Sequence, residues 1–248
     1  MSMQPFQLHG LDGKLIRGDR TDGRDRQILF ITGFLSKRWG NKSKALAKWC
    51  EEQGWGFCCY DVRGFGDSEG TFTDYTLSDW MADARTILTT LKGGPPVTIV
   101  GNSLGSWIAW LMAQEFELVD RLILIAPAFN MMGVRATHIA PERRRAWQET
   151  GWMPWDDAPL HKDWPLSWKW VEESERYWKT SFDRLRPVRT TILHGLQDTV
   201  ISPDGSRQFA EELQHRAPAF PLDLRLIPGD HRLSSPEQME LLHRLIVE

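Results

Sequence analysis

The sequence predicts the α/β class, with a mostly parallel central sheet, helices on both faces and a tryptophan-rich helical cap inserted late in the chain. Three observations carry that reading. Short runs rich in aliphatic and β-branched residues, Ile28 to Ile31, Val97 to Val100, Arg121 to Ala126 and Thr190 to Leu193, have the length and composition of buried strands. Between them apolar residues recur at helical spacing, so strand, helix and strand alternate, the pattern of right-handed parallel crossovers. From residue 130 to 185 strand periodicity disappears, and that stretch holds seven of the thirteen tryptophans with Pro141, Pro154, Pro159 and Pro165.

A chain of 248 residues suits one α/β domain with an insertion. We expect a core from residues 1–129 and 186–248, and a cap from 130–185. A net charge of −3 offers no field that would favour nucleic acid. No apolar run approaches the ~18 residues of a membrane span. Met1 to Pro5 carry neither an export signal nor a transit-peptide pattern, so a cytoplasmic location is expected. Cys50, Cys58 and Cys59 lack metal-ligand spacing and read as buried free thiols of a reducing compartment.

The elements follow in order. Residues 5–18 read as an antiparallel lead-in hairpin around a two-residue Asp12-Gly13 turn. After the first buried strand, Ile28 to Ile31, comes Thr32-Gly33-Phe34-Leu35, then a helix marked by Ala45, Leu46, Trp49 and Cys50 and stopped near Gly54. Phe57 to Tyr60 form the next strand. The glycine-rich Asp61 to Ser68 lacks a phosphate-binding fingerprint and reads as a structural loop. A helix capped at Ser78 or Asp79 runs through Trp80, Ala84, Ile87, Leu88 and Leu91 to Gly93-Gly94.

In the cap, most tryptophans should dock the insertion on the core while one or two line an acyl or aromatic pocket. Arg143-Arg144-Arg145 reads as a solvated helix face. Past the cap, Ser202-Pro203 starts a helix, Leu222, Leu224 and Leu226 alternate as the last strand, and a Ser235 to Gln238 capping box with Pro236 opens the final helix.

The chemistry is concentrated in Gly101-Asn102-Ser103-Leu104-Gly105, which joins a predicted strand to a predicted helix. A sharp turn of that kind holds a serine in strained geometry with its hydroxyl exposed. A serine hydroxyl is a poor nucleophile until a base takes its proton, and the base needs an acid to orient it. The chain order Ser, Asp, His expected of this architecture selects Asp198 and His231, each following a strand that ends at the same sheet edge. His194, directly before Gly195, reads as loop packing, and Asp230 is too close in sequence to His231 to aim at it. The Leu104 N–H at the helix start and the Phe34 N–H after the first buried strand are the expected oxyanion donors.

Thr32-Gly33-Phe34, Asp61-x-Arg63-Gly64-x-Gly66-x-Ser68, the nucleophile motif, His194-Gly195-x-x-Asp198 and Gly229-Asp230-His231-Arg232 together resemble the α/β-hydrolases over essentially the whole chain. More narrowly, Thr-Gly-Phe-Leu-Ser before a Trp-Cys helix and the Leu-Ile-Ala-Pro-Ala strand end are similar to bacterial relatives of the mitochondrial palmitoyl-protein thioesterases that also cleave acyl glucuronides. The resemblance and the residues imply a serine esterase or thioesterase with a small-molecule substrate, no metal or organic cofactor, and a monomer or homodimer. Perhydrolysis, carbon–carbon bond hydrolysis or acyl transfer on the same triad, and a binding protein without turnover, are the alternatives.

Overall fold

The computed structural model describes residues 3–154 and 164–248, so Trp155, Pro159 and His161 lie outside the described residues. In chain order the elements are β1 (Gln4–His9), β2 (Leu15–Thr21), β3 (Gln27–Ile31), α1 (Asn41–Gln53), β4 (Gly56–Tyr60), α2 (Leu77–Thr90), β5 (Val97–Asn102), α3 (Leu104–Glu115) and β6 (Val119–Ile125). There follow α4 (Met131–His138), α5 (Pro141–Thr150), β7 (Trp152–Met153), β8 (Leu166–Ser167) and α6 (Lys169–Thr180). The chain returns to the sheet with β9 (Arg189–Gly195), α7 (Pro203–Arg216), β10 (Leu222–Ile227) and α8 (Pro236–Val247).

Eight strands form one sheet in the order β1-β2-β4-β3-β5-β6-β9-β10. The β1/β2 and β2/β4 pairs are antiparallel and every later pair is parallel. Period-two alternation sends Ile28 and Phe30 to one face, under Leu46 and Cys50 of α1 and Leu242, Leu245 and Ile246 of α8. Leu29 and Ile31 go to the other face with Trp80, Trp107, Trp110 and Phe209 of α2, α3 and α7. Helices on both sides explain why β3 and β4 are buried at every residue. The parallel strands all end at one edge, and the loops there carry the site.

Local chemistry departs from expectation in three places. The hairpin turn is wider than two residues: Gly13 N–H bonds Gly10 O at 3.0 Å and Gly10 N–H bonds Lys14 O at 2.9 Å, with Gly13 at φ 80°. A turn followed by a left-handed glycine closes the ladder one residue wider than a two-residue turn. The cap of α2 is Thr76, whose N–H and hydroxyl donate to Asp79 at 2.9 and 3.0 Å, so Asp79 sits at the third helical position. Finally, β7 and β8 pair antiparallel between α5 and α6, in a stretch expected to hold only short helices.

The loop from Asp61 to Ser68 is held by charge. Asp61 accepts from the Arg38 N–H at 2.6 Å and the Asp67 N–H at 3.0 Å. Buried Arg63 donates its backbone N–H (2.8 Å) and its Nε (2.5 Å) to Asp83 of α2. Cys50, Cys58 and Cys59 are free and buried, and burial pushes the Cys50 and Cys58 thiols up to about 12. Among the described residues no helix is long and apolar enough to cross a membrane.

Candidate active site

Ser103 joins β5 to α3 at φ 54° and ψ −119°, a conformation that costs a non-glycine residue of order 1–3 kcal/mol and persists only where its surroundings enforce it. Here they do. Ser103 N–H donates to Ile125 O at 2.8 Å, and its carbonyl accepts from Ser106 N–H at 3.0 Å and Ala128 N–H at 3.1 Å. The flanking glycines supply clearance. A Cβ at Gly101 would lie 2.5 Å from Ser106 Cα, and one at Gly105 would lie 2.2 Å from Ile31 O. Leu104 opens α3, so its N–H has no acceptor within the helix. The Gly33-Phe34 segment passes beside the Ser103 turn: a Cβ on Gly33 would come within 3.1 Å of Ser103 Cβ.

Asp198 lies in the turn after β9 and is buried. Its Oδ1 accepts from the N–H groups of Val200 (2.8 Å) and Ile201 (2.9 Å). Its Oδ2 lies 2.7 Å from Nδ1 of His231, in the loop after β10. Burial alone would raise the Asp198 carboxyl; the Ile201 N–H, the His231 ring and the Val200 N–H outweigh it and hold the group below the usual carboxylate range. The structure therefore brings Asp198 and His231 together. Among the described residues, no hydrogen bond joins Ser103 Oγ to His231.

One residue read as packing is placed differently. His194, which follows Ile192 and Leu193 in β9, is fully buried and points its Nε2 at Asp198 Oδ2 (3.1 Å) and Ile201 O (3.1 Å). Its Nδ1 lies 2.7 Å from Ser206 Oγ of α7. The signal in the sequence is the spacing: a histidine four residues before an acid, across a tight turn at a strand end, can face it.

The surroundings divide by polarity. On the cap side the Phe34 ring packs against Trp170 (5.2 Å), Trp80 (5.5 Å) and Phe72 (5.8 Å). On the other side a cavity of about 270 Å³ is lined by Thr32, Gly33, Lys42, Asn102 and Arg232, among others. A larger cavity of about 630 Å³ lies between the start of α2 and the cap, and its lining includes none of Phe34, Ser103, Leu104, Asp198 or His231. Among the described residues no group of three or more His, Cys, Asp or Glu is placed to hold a metal ion.

Known proteins share this arrangement of strands. A model of the alpha/beta hydrolase family matches residues 28–244. The mouse (Mus musculus) mitochondrial palmitoyl-protein thioesterase ABHD10 is 28% identical over 227 residues, covering 90% of this chain and 74% of the relative. The solved alpha/beta hydrolase domain-containing protein 10 from mouse superposes with a TM-score of 0.81 at 24% identity, covering 98% of this chain and 96% of that one. A putative hydrolase from Agrobacterium vitis S4 superposes with a TM-score of 0.85 at 23% identity, covering 99% and 98%. With most of its length matched by the family model and its fold by solved relatives, this chain belongs to the alpha/beta hydrolase family.

Proposed function

We propose that the protein is a serine hydrolase that cleaves carboxylic esters or thioesters through an acyl-enzyme. The observation that carries this is the 2.7 Å contact of His231 Nδ1 with a buried, ionised Asp198, one sheet edge shared with the strained Ser103. A histidine whose Nδ1–H is committed to a carboxylate has its Nε2 free to act as a base. Family membership supports hydrolysis, and the thioesterase name of the mouse relative supports thioesters among the substrates.

In the proposed route Ser103 Oγ attacks the acyl carbonyl while His231 Nε2 takes its proton. The carbonyl electron pair moves to oxygen, and the Leu104 and Phe34 N–H groups hold that oxyanion. Collapse expels the alcohol or thiol, which receives the proton from His231. Water then attacks the acyl-enzyme by the same transfers in reverse and releases the acid. Asp198 stays ionised and stabilises the imidazolium. No metal or organic cofactor enters the route.

Residues 130–185 act as the cap over a core of 1–129 and 186–248. The aromatic wall around Phe34 favours medium apolar or aromatic acyl groups. The partner is a small-molecule substrate met by a monomer or homodimer. Three buried thiols fit a reducing, cytoplasmic setting. The test is turnover of esters and thioesters of graded acyl length. Ser103→Ala and His231→Ala should each lower kcat by about 10³-fold or more; wild-type rates in both variants would remove the reading.

A further inference from the structure

We infer that His194 is a positioning residue: as a neutral imidazole it shares the Asp198 carboxylate with His231 and so sets the basicity of His231. This role rests on the Ser103–His231–Asp198 reading above and belongs to a residue outside that triad.

The tautomer follows from the neighbours. His194 Nε2 faces two oxygens that can only accept, Asp198 Oδ2 and Ile201 O, each at 3.1 Å, so this nitrogen carries the proton. The ring is wholly buried, and burial lowers its affinity for a second proton, which leaves Nδ1 bare to accept the Ser206 hydroxyl at 2.7 Å. Ser206 is itself fully buried on α7. The two acceptors thus fix the tautomer, and the Ser206 hydroxyl on α7, free to donate, holds the ring so that its Nε2–H stays on the acid.

The consequence is electrostatic. Asp198 Oδ1 has two backbone donors and Oδ2 has two imidazole donors, so the negative charge is divided among four N–H groups. Removing the His194 donor returns Oδ2 to His231 alone, which stabilises the protonated ring more strongly. The other charged groups around His231 stay in place. Asp230 and Arg232 flank it on its own loop, with Asp230 Oδ1 bonded to the Arg232 and Leu233 N–H groups, and Lys42 of α1 donates to Arg232 O.

The test compares His194→Phe, His194→Gln and Ser206→Ala in the pH dependence of kcat/KM and in the His231 ring titration followed by NMR. Loss of the donor in His194→Phe should move the acid limb and the ring titration up by about half to one pH unit and lower kcat. Gln, which can keep a donor toward Asp198, should restore the wild-type limb. Ser206→Ala, which removes the hydroxyl that holds the ring and so loosens the Nε2–H contact with Asp198, should move the limb the same way by less. A folded His194→Phe protein with an unmoved limb, or, where that variant does not fold, an unmoved limb in Ser206→Ala, would show that His194 only packs. The NMR titration reads the free protein, so it decides this inference even where no ester turns over; absence of turnover in the wild type counts against the serine-hydrolase reading instead.

Discussion

Ser103 occupies backbone geometry that its own side chain opposes. Its φ of 54° with ψ −119° is held by hydrogen bonds from β6 and the loop after it, so the strain is balanced by contacts made elsewhere. Replacing Ser103 by glycine removes the Cβ that creates the strain. Ser103→Gly is therefore expected to be more stable than Ser103→Ala by about 1–2 kcal/mol, and both should be inactive. Thermal melts would read this as a gap of roughly 2–8 °C for a chain of this size. Equal melting temperatures would mean that the turn is not strained. At this scale the sequence is informative where chemistry has a fixed local context: the strand, the glycines and the helix around Ser103 can all be read. It is silent where contact depends on a turn folding back, which is why His194 reads as packing although Asp198 is its neighbour.

At the scale of elements, charge fastens the loop after β4 to α2. Arg63 and Asp83 are both buried; Arg63 keeps Asp12 at 2.8 Å when Asp83 is removed, but its buried Nε and backbone N–H lose their acceptor. Asp83→Ala is expected to cost about 3–5 kcal/mol, against about 1 kcal/mol for loss of the α2 cap in Thr76→Ala. Urea unfolding at matched slopes checks the contrast; similar midpoints for the two variants would contradict it. The strands and long helices are legible because period-two and helical patterns persist over five or more residues. β7 and β8 are not, because two residues each present no period at all. The Thr76 cap escapes a reading of the sequence because Ser78 and Asp79, just beyond it, offer equally good capping oxygens. Ser78 is used otherwise, its N–H donating to Glu173 of α6 at 2.8 Å.

Across the whole molecule, α6 meets α2 and the loop after β3 through two kinds of contact. Polar groups tie α6 to the start of α2, with Ser78 Oγ 3.0 Å from Tyr177 Oη and 2.9 Å from an Arg176 nitrogen. Aromatic rings meet above the sheet edge, where Trp170 packs on both Phe34 and Trp80. If this wall selects the acyl group, Phe34→Ala, which keeps the backbone N–H, should lower the preference for longer over acetyl esters by about tenfold in kcat/KM. An unchanged ratio would move acyl recognition elsewhere. The excursion of α4, α5 and α6 between β6 and β9 falls in the stretch where the tryptophan and proline content rises and strand periodicity stops. Which rings meet is not visible, because the Phe34–Trp170 contact joins residues far apart in the chain.

The central claim is that Ser103 is an activated nucleophile, and reaction with a fluorophosphonate probe followed by peptide mapping tests it most directly. An activated serine should give stoichiometric modification of Ser103 in the wild-type protein and none at that peptide in His231→Ala. A folded wild-type protein that leaves Ser103 unmodified, or a His231→Ala protein labelled as fast as the wild type, would contradict it.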